Sequence, residues 1–171
     1  MMKKKYNLLV LGLILLVSNT VFSQVEKFQA AYIYNFLSYV EWPSDYRTGD
    51  FKIGVLGNNP IIGELYKITK NKKMYSQPIK VAPFATLNDI KDCHILFIPP
   101  AQSANIEKAI NKLGDKSILI ITATQTGISK GAAINFIIVN NKLNFEVKPS
   151  NAKKRNIKIS SSLNKLAYKV Y

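Results

Sequence analysis

The sequence predicts a single α/β domain, with a mostly parallel sheet of five to six strands, helices on both faces, and a C-terminal β-hairpin followed by a helix. Three observations favour this class. Apolar strand-like runs alternate with helical segments of about a dozen residues, which favours right-handed crossovers between parallel strands. Near the C terminus, two strand-like runs flank Asn140, Asn141 and Lys142, a sequence typical of a hairpin turn. The 171 residues suffice for one buried core.

Residues 1–23 have the pattern of a secretory signal peptide. Lysines precede an almost uninterrupted apolar run from Leu8 to Val17, and small residues suited to a signal peptidase follow at Val21 and Ser23. The apolar run is shorter than the roughly 20 residues that cross a bilayer comfortably. We therefore expect cleavage before Gln24 and a periplasmic domain over the rest of the chain. An uncleaved N-terminal anchor is the alternative.

The chain is strongly basic, with 24 Lys and Arg against 10 Asp and Glu, a formal net charge of +14. The predicted leader contains three lysines and no acid, so the domain stays basic after cleavage. An exported protein rarely meets nucleic acid, which excludes the commonest explanation of such a charge. We expect the positive surface to face anionic lipid head groups, envelope polymers or an acidic partner.

A first helix is predicted from Glu26 to Val40, because this segment contains neither Gly nor Pro and the pair Trp42-Pro43 follows it. Its apolar residues occupy two sides of the helix. One face should pack on the core, and the other needs a further partner. A helix enclosed within its own domain would explain the same pattern.

The next segment predicts a strand, a turn and a helix. Phe51 to Gly57 is the strand, and Asn58 and Asn59 supply candidates for the N-cap of the helix. Pro60 suits the first helical turn, so the helix should continue to about Lys70.

The middle of the chain continues the alternation, with Pro99 and Gly114 as end signals for a strand and a helix. We predict a polar linker over Asn71 to Lys73, strands over Pro78 to Ala82, His94 to Ile98 and Ser117 to Thr122, and a helix over Ala101 to Leu113.

In the C-terminal part, two strand-like runs follow each other without a helix between them. Strands are predicted over Ala132 to Val139 and Leu143 to Val147. They are followed by a polar helical turn at Ser150 to Arg155, an extended or irregular segment at Ile157 to Ile159, and a last helix capped by Ser160 or Ser161.

Residues that could support catalysis are sparse. His94, the only histidine, has no Cys, Asp or Glu near it at metal-ligand spacing, and the serines lack a nucleophile elbow. Cys93, the only cysteine, opens an apolar strand and is expected to be a buried thiol. We therefore predict no enzyme, no catalytic residue, no metal and no cofactor.

One crevice is compatible with a small ligand. Gly57, Asn58 and Asn59 follow a strand and precede a helix, where α/β sheets bind anions or small molecules. Thr122 to Gly127, at the end of another strand, could share this crevice. The glycine spacing matches neither a dinucleotide fingerprint nor a P-loop, and a simple tight turn explains it equally.

Several segments together resemble the YfiR family of periplasmic proteins, over nearly the whole predicted mature chain. These segments are Ala30 to Pro43, Cys93 to Ile98, Gly131 to Phe136, Phe145 to Val147, and Ile159 to Leu163 with Leu166 and Ala167. The resemblance implies a non-catalytic α/β domain that binds the periplasmic part of an inner-membrane diguanylate cyclase and holds it inactive. Its release would raise cyclic di-GMP and promote biofilm.

The chain departs from the family pattern in its cysteines. Well-known members have paired cysteines in stabilising disulfides, whereas Cys93 has no partner in this sequence. Redox control through such bridges therefore does not carry over. The family also occurs beside membrane histidine kinases, so either a cyclase or a kinase is a candidate partner.

We predict that the partner binds at Phe145, Glu146, Ile159 and Leu163. The resemblance is dense there, and Asn141 to Tyr171 holds eight basic residues and one acid. Glu146 is expected to be an exposed acid, because strand alternation places it opposite Phe145. The alternative is that the three apolar residues are simply core. A small-ligand receptor that serves a histidine kinase is the second functional hypothesis, and a homodimer is compatible with the sequence.

Overall fold

The computed structural model describes residues 24–171, which alternate between strands and helices as the sequence predicts. The predicted signal peptide lies outside the described residues. The helices are α1 (24–36), α2 (Ile61–Thr69), α3 (Ile106–Leu113), α4 (Pro149–Lys153) and α5 (Ser161–Leu166). The strands are β1 (Val40–Glu41), β2 (Phe51–Leu56), β3 (Lys73–Met74), β4 (Gln77–Phe84), β5 (Ile95–Ile98), β6 (Leu119–Thr122), β7 (Ile134–Val139), β8 (Lys142–Val147), β9 (Lys158–Ile159) and β10 (Lys169–Val170).

The main sheet has eight strands in the order β10-β8-β7-β6-β5-β2-β4-β3. Strands β4, β2, β5, β6 and β7 run parallel, and β10 is parallel to β8, whereas β8 and β3 pair antiparallel with β7 and β4. The predicted α/β class and mostly parallel sheet are confirmed. The strand number exceeds the predicted five to six, because two-residue strands are added at both edges. The hairpin is therefore followed by a further strand rather than closing the sheet.

Helices cover both faces of the sheet, as predicted. One face packs against α1, α2 and α5 around the buried side chains of Trp42, Phe36 and Phe51. The other face packs against α3 and contains the Cys93 side chain, which is 2% exposed. The prediction of a buried thiol is confirmed, and burial raises the pKa of Cys93 to about 12.

The first helix ends earlier than the sequence predicts. α1 continues as a 3-10 turn over Leu37–Tyr39, and Val40 then pairs with Ile159 in a separate two-stranded sheet of β1 and β9. This pairing extends the backbone at Val40 and so prevents the helix from reaching it. Within residues 24–171, no helix is both long and apolar enough to span a bilayer.

Two other predicted elements also differ from the observed ones at their boundaries. The predicted helix over Ala101 to Leu113 begins as a 3-10 segment, Pro100–Asn105, and becomes α-helical at Ile106. The predicted linker over Asn71 to Lys73 contributes Lys73 to β3, which forms a hairpin with β4.

The predicted caps are confirmed at two helices. Asn59 Oδ1 accepts a hydrogen bond from the N–H of Ile61 at the start of α2. Ser160 Oγ accepts one from the N–H of Leu163 at the start of α5. The second cap fixes where α5 begins, and hence where Leu163 enters the core.

Candidate functional site

A groove of about 290 Å³ lies between α1 and α5. We call it the α1–α5 groove. Phe145 of β8 and Leu163 of α5 form its buried floor, with 4% and 1% of their surface exposed. Leu166, one turn after Leu163 on α5, stands at the rim and is 60% exposed. The remaining lining residues belong to the first helix and the turn that follows it: Tyr32, Asn35, Phe36, Ser38 and Tyr39.

Aromatic packing makes the floor rigid. Tyr32 and Phe36 are four residues apart on α1 and therefore share one face of the helix. The Phe36 ring lies edge-on to Phe145 at 5.0 Å between centroids, and the Tyr32 ring lies at 5.7 Å from the same residue. Phe136, directly across the hairpin from Phe145, contacts both helix residues. Such contacts stabilise the groove before any partner arrives.

A second cavity of about 480 Å³ adjoins the α1–α5 groove, because Ser38 and Tyr39 line both. Lys158 and Ser160, on either side of Ile159, form part of its wall. Ser160 donates its N–H to the carbonyl oxygen of Tyr39 at 2.9 Å, which ties the start of α5 to the end of the α1 turn. The two cavities thus lie on either side of the turn that contains Ser38 and Tyr39.

The four predicted partner-binding residues do not share one surface. Phe145 and Leu163 meet in the α1–α5 groove, and Ile159 is half-buried beside the adjoining cavity. Glu146 lies on the opposite face of the sheet, since neighbouring residues of a strand point to opposite sides. The alternation that the sequence suggested is therefore correct, and it separates Glu146 from the other three residues.

Glu146 is half-buried, which corrects the expectation of an exposed acid. Its Oε2 accepts a hydrogen bond from Asn135 Nδ2 at 3.1 Å, and its Oε1 accepts one from the Tyr171 hydroxyl at 3.0 Å. Asn135 Oδ1 in turn accepts from Thr122 Oγ1 and from the N–H of Thr124. The carboxylate therefore belongs to a polar network that joins β6, β7, β8 and the end of β10.

Sequence reasoning missed Asn135 as the centre of this network. An amide in the otherwise apolar run from Ile134 to Val139 is the signal that could have revealed it, because a buried amide needs hydrogen-bond partners. Gly127 packs so closely on Thr122 and Asn135 that an added Cβ would overlap the Thr122 hydroxyl. This packing buries Thr122 and Gly127 at the two ends of the segment, whereas Gln125 and Thr126 between them are exposed.

The predicted ligand crevice at Gly57, Asn58 and Asn59 lies at the switch point of the sheet, where the strand order reverses between β2 and β5. Gly57 has φ of +78°, as a tight turn requires. The Gln102 side chain fills the space above it, because a Cβ added at Gly57 would lie 2.7 Å from Gln102 Nε2. A ligand at this crevice would have to displace Gln102.

The His94 side chain packs beside β2, just before the start of β5. Its Nδ1 accepts the N–H of Lys52 at 3.0 Å, so the proton resides on Nε2, which donates to the carbonyl oxygen of Tyr46 at 2.8 Å. The ring stacks on Phe51, and burial lowers the pKa of His94. Among residues 24–171, no three side chains of the His, Cys, Asp and Glu types are grouped to hold a metal ion.

A family model described as YfiR/HmsC-like matches residues 26–168, which is most of the sequence. The search of curated proteins finds no match. The matched range includes every strand of the main sheet except the two residues of β10.

Proposed function

The chain belongs to the YfiR/HmsC-like family, and on that premise we propose that it is a periplasmic protein that binds and represses an inner-membrane signalling protein. Named members of the family are periplasmic regulators of diguanylate cyclases and are generally non-catalytic. A diguanylate cyclase is the first candidate partner, and a histidine kinase is the second. With a cyclase, repression would hold cyclic di-GMP low, and release would promote biofilm.

The observation that carries this proposal is the α1–α5 groove, an apolar depression with an exposed rim. Its floor of Phe145 and Leu163 is preformed, so a partner would not have to order it. Pockets for small molecules usually occupy about 300–1,000 Å³. The groove, at about 290 Å³, falls just below that range, which suits one or two protruding apolar side chains of a protein better than a whole ligand.

The predicted partner-binding residues then have different roles. Phe145 and Leu163 contact the partner from the floor of the groove. Ile159 holds β9 against β1 and so shapes the adjoining cavity. Glu146 acts from the other face of β8 by holding Tyr171 at the edge of the sheet.

Residue Leu166 gives the sharpest test. Leu166→Asp places a charge at the rim of the groove without entering the core, whereas changes at Phe145 or Leu163 would unfold the domain. Ile138→Asp is the matched control, because Ile138 is 57% exposed and lies on the β7–β8 hairpin, outside the groove. The measurement is binding to the periplasmic parts of the diguanylate cyclases and histidine kinases of the same cell.

We expect Leu166→Asp to weaken this binding at least about tenfold, because it would place an unpaired charge against the apolar surface of the partner, while Ile138→Asp binds normally. Both variants should keep the melting temperature. Equal binding by the two variants would show that the groove is not the docking site.

Export is the second part of the proposal. We propose that the leader is removed before Gln24, which would leave the domain in the periplasm. The mass of the intact exported protein measures this directly. A chain that retains Met1 and partitions with membranes would contradict it.

A further inference from the structure

Strand β10 forms one edge of the main sheet, and together with the end of α5 it presents an unusual surface. We define residues Lys165 to Tyr171 as the basic edge. Its two lysines are interleaved with exposed apolar and aromatic side chains, whose exposed fractions are 44% to 60%: Leu166, Tyr168, Val170 and Tyr171. These four residues are half of the large exposed hydrophobic side chains among residues 24–171.

Positive charge continues from the basic edge over the neighbouring elements. Exposed lysines lie at the start of β8, at the end of α4 and on β9: Lys142, Lys153, Lys154 and Lys158. The only acid of this region, Glu146, is engaged by Asn135 and Tyr171. Lys158 lies 3.6 Å from Glu41, but both side chains are exposed, so this ion pair compensates little. Glu146 keeps its negative charge, but eight basic residues against this one acid in Asn141 to Tyr171 leave the region strongly positive.

The backbone holds the basic edge in a fixed position. The N–H of Tyr168 donates to the carbonyl oxygen of Phe145 at 2.8 Å, and the N–H of Tyr171 donates to that of Val147 at 3.0 Å. The Lys169 ammonium lies 4.3 Å from the centre of the Tyr171 ring, a cation–π contact. The backbone of this edge is thus ordered before binding. Lys169 and Tyr171 lie on the side of the sheet that holds Glu146, and Val170, between them, lies on the other side, so the edge presents charge and apolar surface on both sides.

We propose that the basic edge docks on the surface of an anionic lipid bilayer. Lysines are attracted to anionic head groups, and tyrosines position their amphipathic rings at the head-group level. Each contribution alone is weak, and stable attachment requires an apolar contact together with basic residues. The basic edge supplies both within seven residues.

The exposed basic residues are lysines and not arginines, which favours a lipid surface over an acidic protein as the ligand of this edge. Protein interfaces are enriched in Arg and depleted of Lys, because the guanidinium pairs with carboxylates in a fixed geometry. In Asn141 to Tyr171 the basic side chains available at the surface are lysines. The one arginine, Arg155, is buried and donates to backbone carbonyls.

Bilayer docking would add to the regulation of a membrane partner and does not depend on it. Leu166 belongs to the basic edge and also lines the α1–α5 groove. A domain that lies on the bilayer by this edge would therefore hold the groove close to the membrane, where the periplasmic part of a membrane protein emerges.

The test measures sedimentation of the exported protein with vesicles. One set contains phosphatidylglycerol and phosphatidylcholine in equal parts, and the other contains phosphatidylcholine alone. The test variant is Lys165→Glu with Lys169→Glu. The control is Lys72→Glu with Lys73→Glu, which makes the same change of charge at β3, on the opposite edge of the sheet. A second pair compares Tyr168→Ser with Tyr66→Ser, two exposed tyrosines.

We expect the protein to bind the anionic vesicles and not the neutral ones. Lys165→Glu with Lys169→Glu should lower the association constant at least about tenfold, and the control pair should lower it far less. Tyr168→Ser should weaken binding more than Tyr66→Ser. Equal losses in the two charge variants would mean that net charge alone drives binding, and would overturn the proposal. Failure to bind anionic vesicles would also overturn it and would leave an acidic protein as the ligand of this edge.

Discussion

Asn135 and Glu146 face each other across β7 and β8, and the Asn135 amide donates a hydrogen bond to the Glu146 carboxylate at 3.1 Å. Asn135 is fully buried, so its orientation depends on the groups that accept and donate around it. Through this hydrogen bond the carboxylate of Glu146 stabilises the folded state, although part of it is exposed at the surface. A substitution at Glu146 should therefore alter stability, in contrast to the small effect that an exposed acid would have.

Glu146→Lys should lower the free energy of unfolding by about 1–3 kcal/mol, because it leaves the Asn135 amide without its acceptor and adds a cation beside Lys169. Glu146→Gln should cost less, since an amide oxygen can still accept. Urea unfolding of the two variants measures the difference. A Lys variant as stable as the parent would show that the hydrogen bond contributes little.

Arg155→Ala should destabilise the domain by about 2–3 kcal/mol, because the guanidinium donates to the carbonyl oxygens of Ile110, Gly114 and Lys116 at the end of α3. The neighbouring residue offers the control: Lys154→Ala removes an exposed cation and should change stability by less than about 0.5 kcal/mol. Thermal unfolding of both variants measures the difference. Equal melting temperatures would contradict a role for Arg155 in capping the end of α3.

Stability should fall as the pH is lowered from neutrality, and His94 should account for part of the fall. Burial lowers the pKa of His94 in the folded state, so the unfolded chain binds a proton at a higher pH than the folded chain does. The contribution of His94 to the free energy of unfolding is fully present above the usual histidine pKa of about 6.5. It is lost as the pH falls from there through the lower folded pKa.

In His94→Gln this portion of the pH dependence should disappear, although the variant will be less stable at every pH because it loses the ring stacked on Phe51. Denaturant unfolding over a pH series tests this. If the parent and the variant lose stability in parallel, carboxylates rather than His94 govern the acid sensitivity.

Cys93 should react slowly with thiol reagents in the native protein, because burial keeps its pKa near 12 and leaves almost no thiolate at neutral pH. Cys93→Ser should cost about 1–3 kcal/mol, since a hydroxyl would enter an apolar cluster. Labelling in the presence and absence of denaturant measures the accessibility. Rapid labelling of the folded protein would contradict burial.

The alternation of apolar runs was sufficient to predict the parallel centre of the sheet. Its edges were less predictable, because β3 and β10 each contain two residues and exist only through pairing with β4 and β8. Val40 shows the same limitation: its local sequence favours a helix, and its pairing with Ile159, more than a hundred residues away, makes it extended.

The candidate site was predictable in part. Phe145 and Leu163 were identified from the resemblance and from their apolar character, and they do lie together. A further partner for the first helix was predicted, but its place beside Phe145 was not, because Tyr32 reaches Phe145 only through tertiary packing. Alternation correctly placed Glu146 opposite Phe145, but the groups that cover it come from β7 and from Tyr171, and no local pattern indicates them.

Gln102 has a consequence for protein engineering. Its amide lies over Gly57 and accepts a hydrogen bond from Asn105 Nδ2 at 2.7 Å, so the chain itself occupies the place where related architectures bind their ligands. Shortening this side chain to alanine would create a vacancy the size of a small amide, with the Asn105 donor left on its wall. Acetamide added to the solvent should fill that vacancy and restore the lost stability, which would convert a closed domain into a receptor by a single substitution.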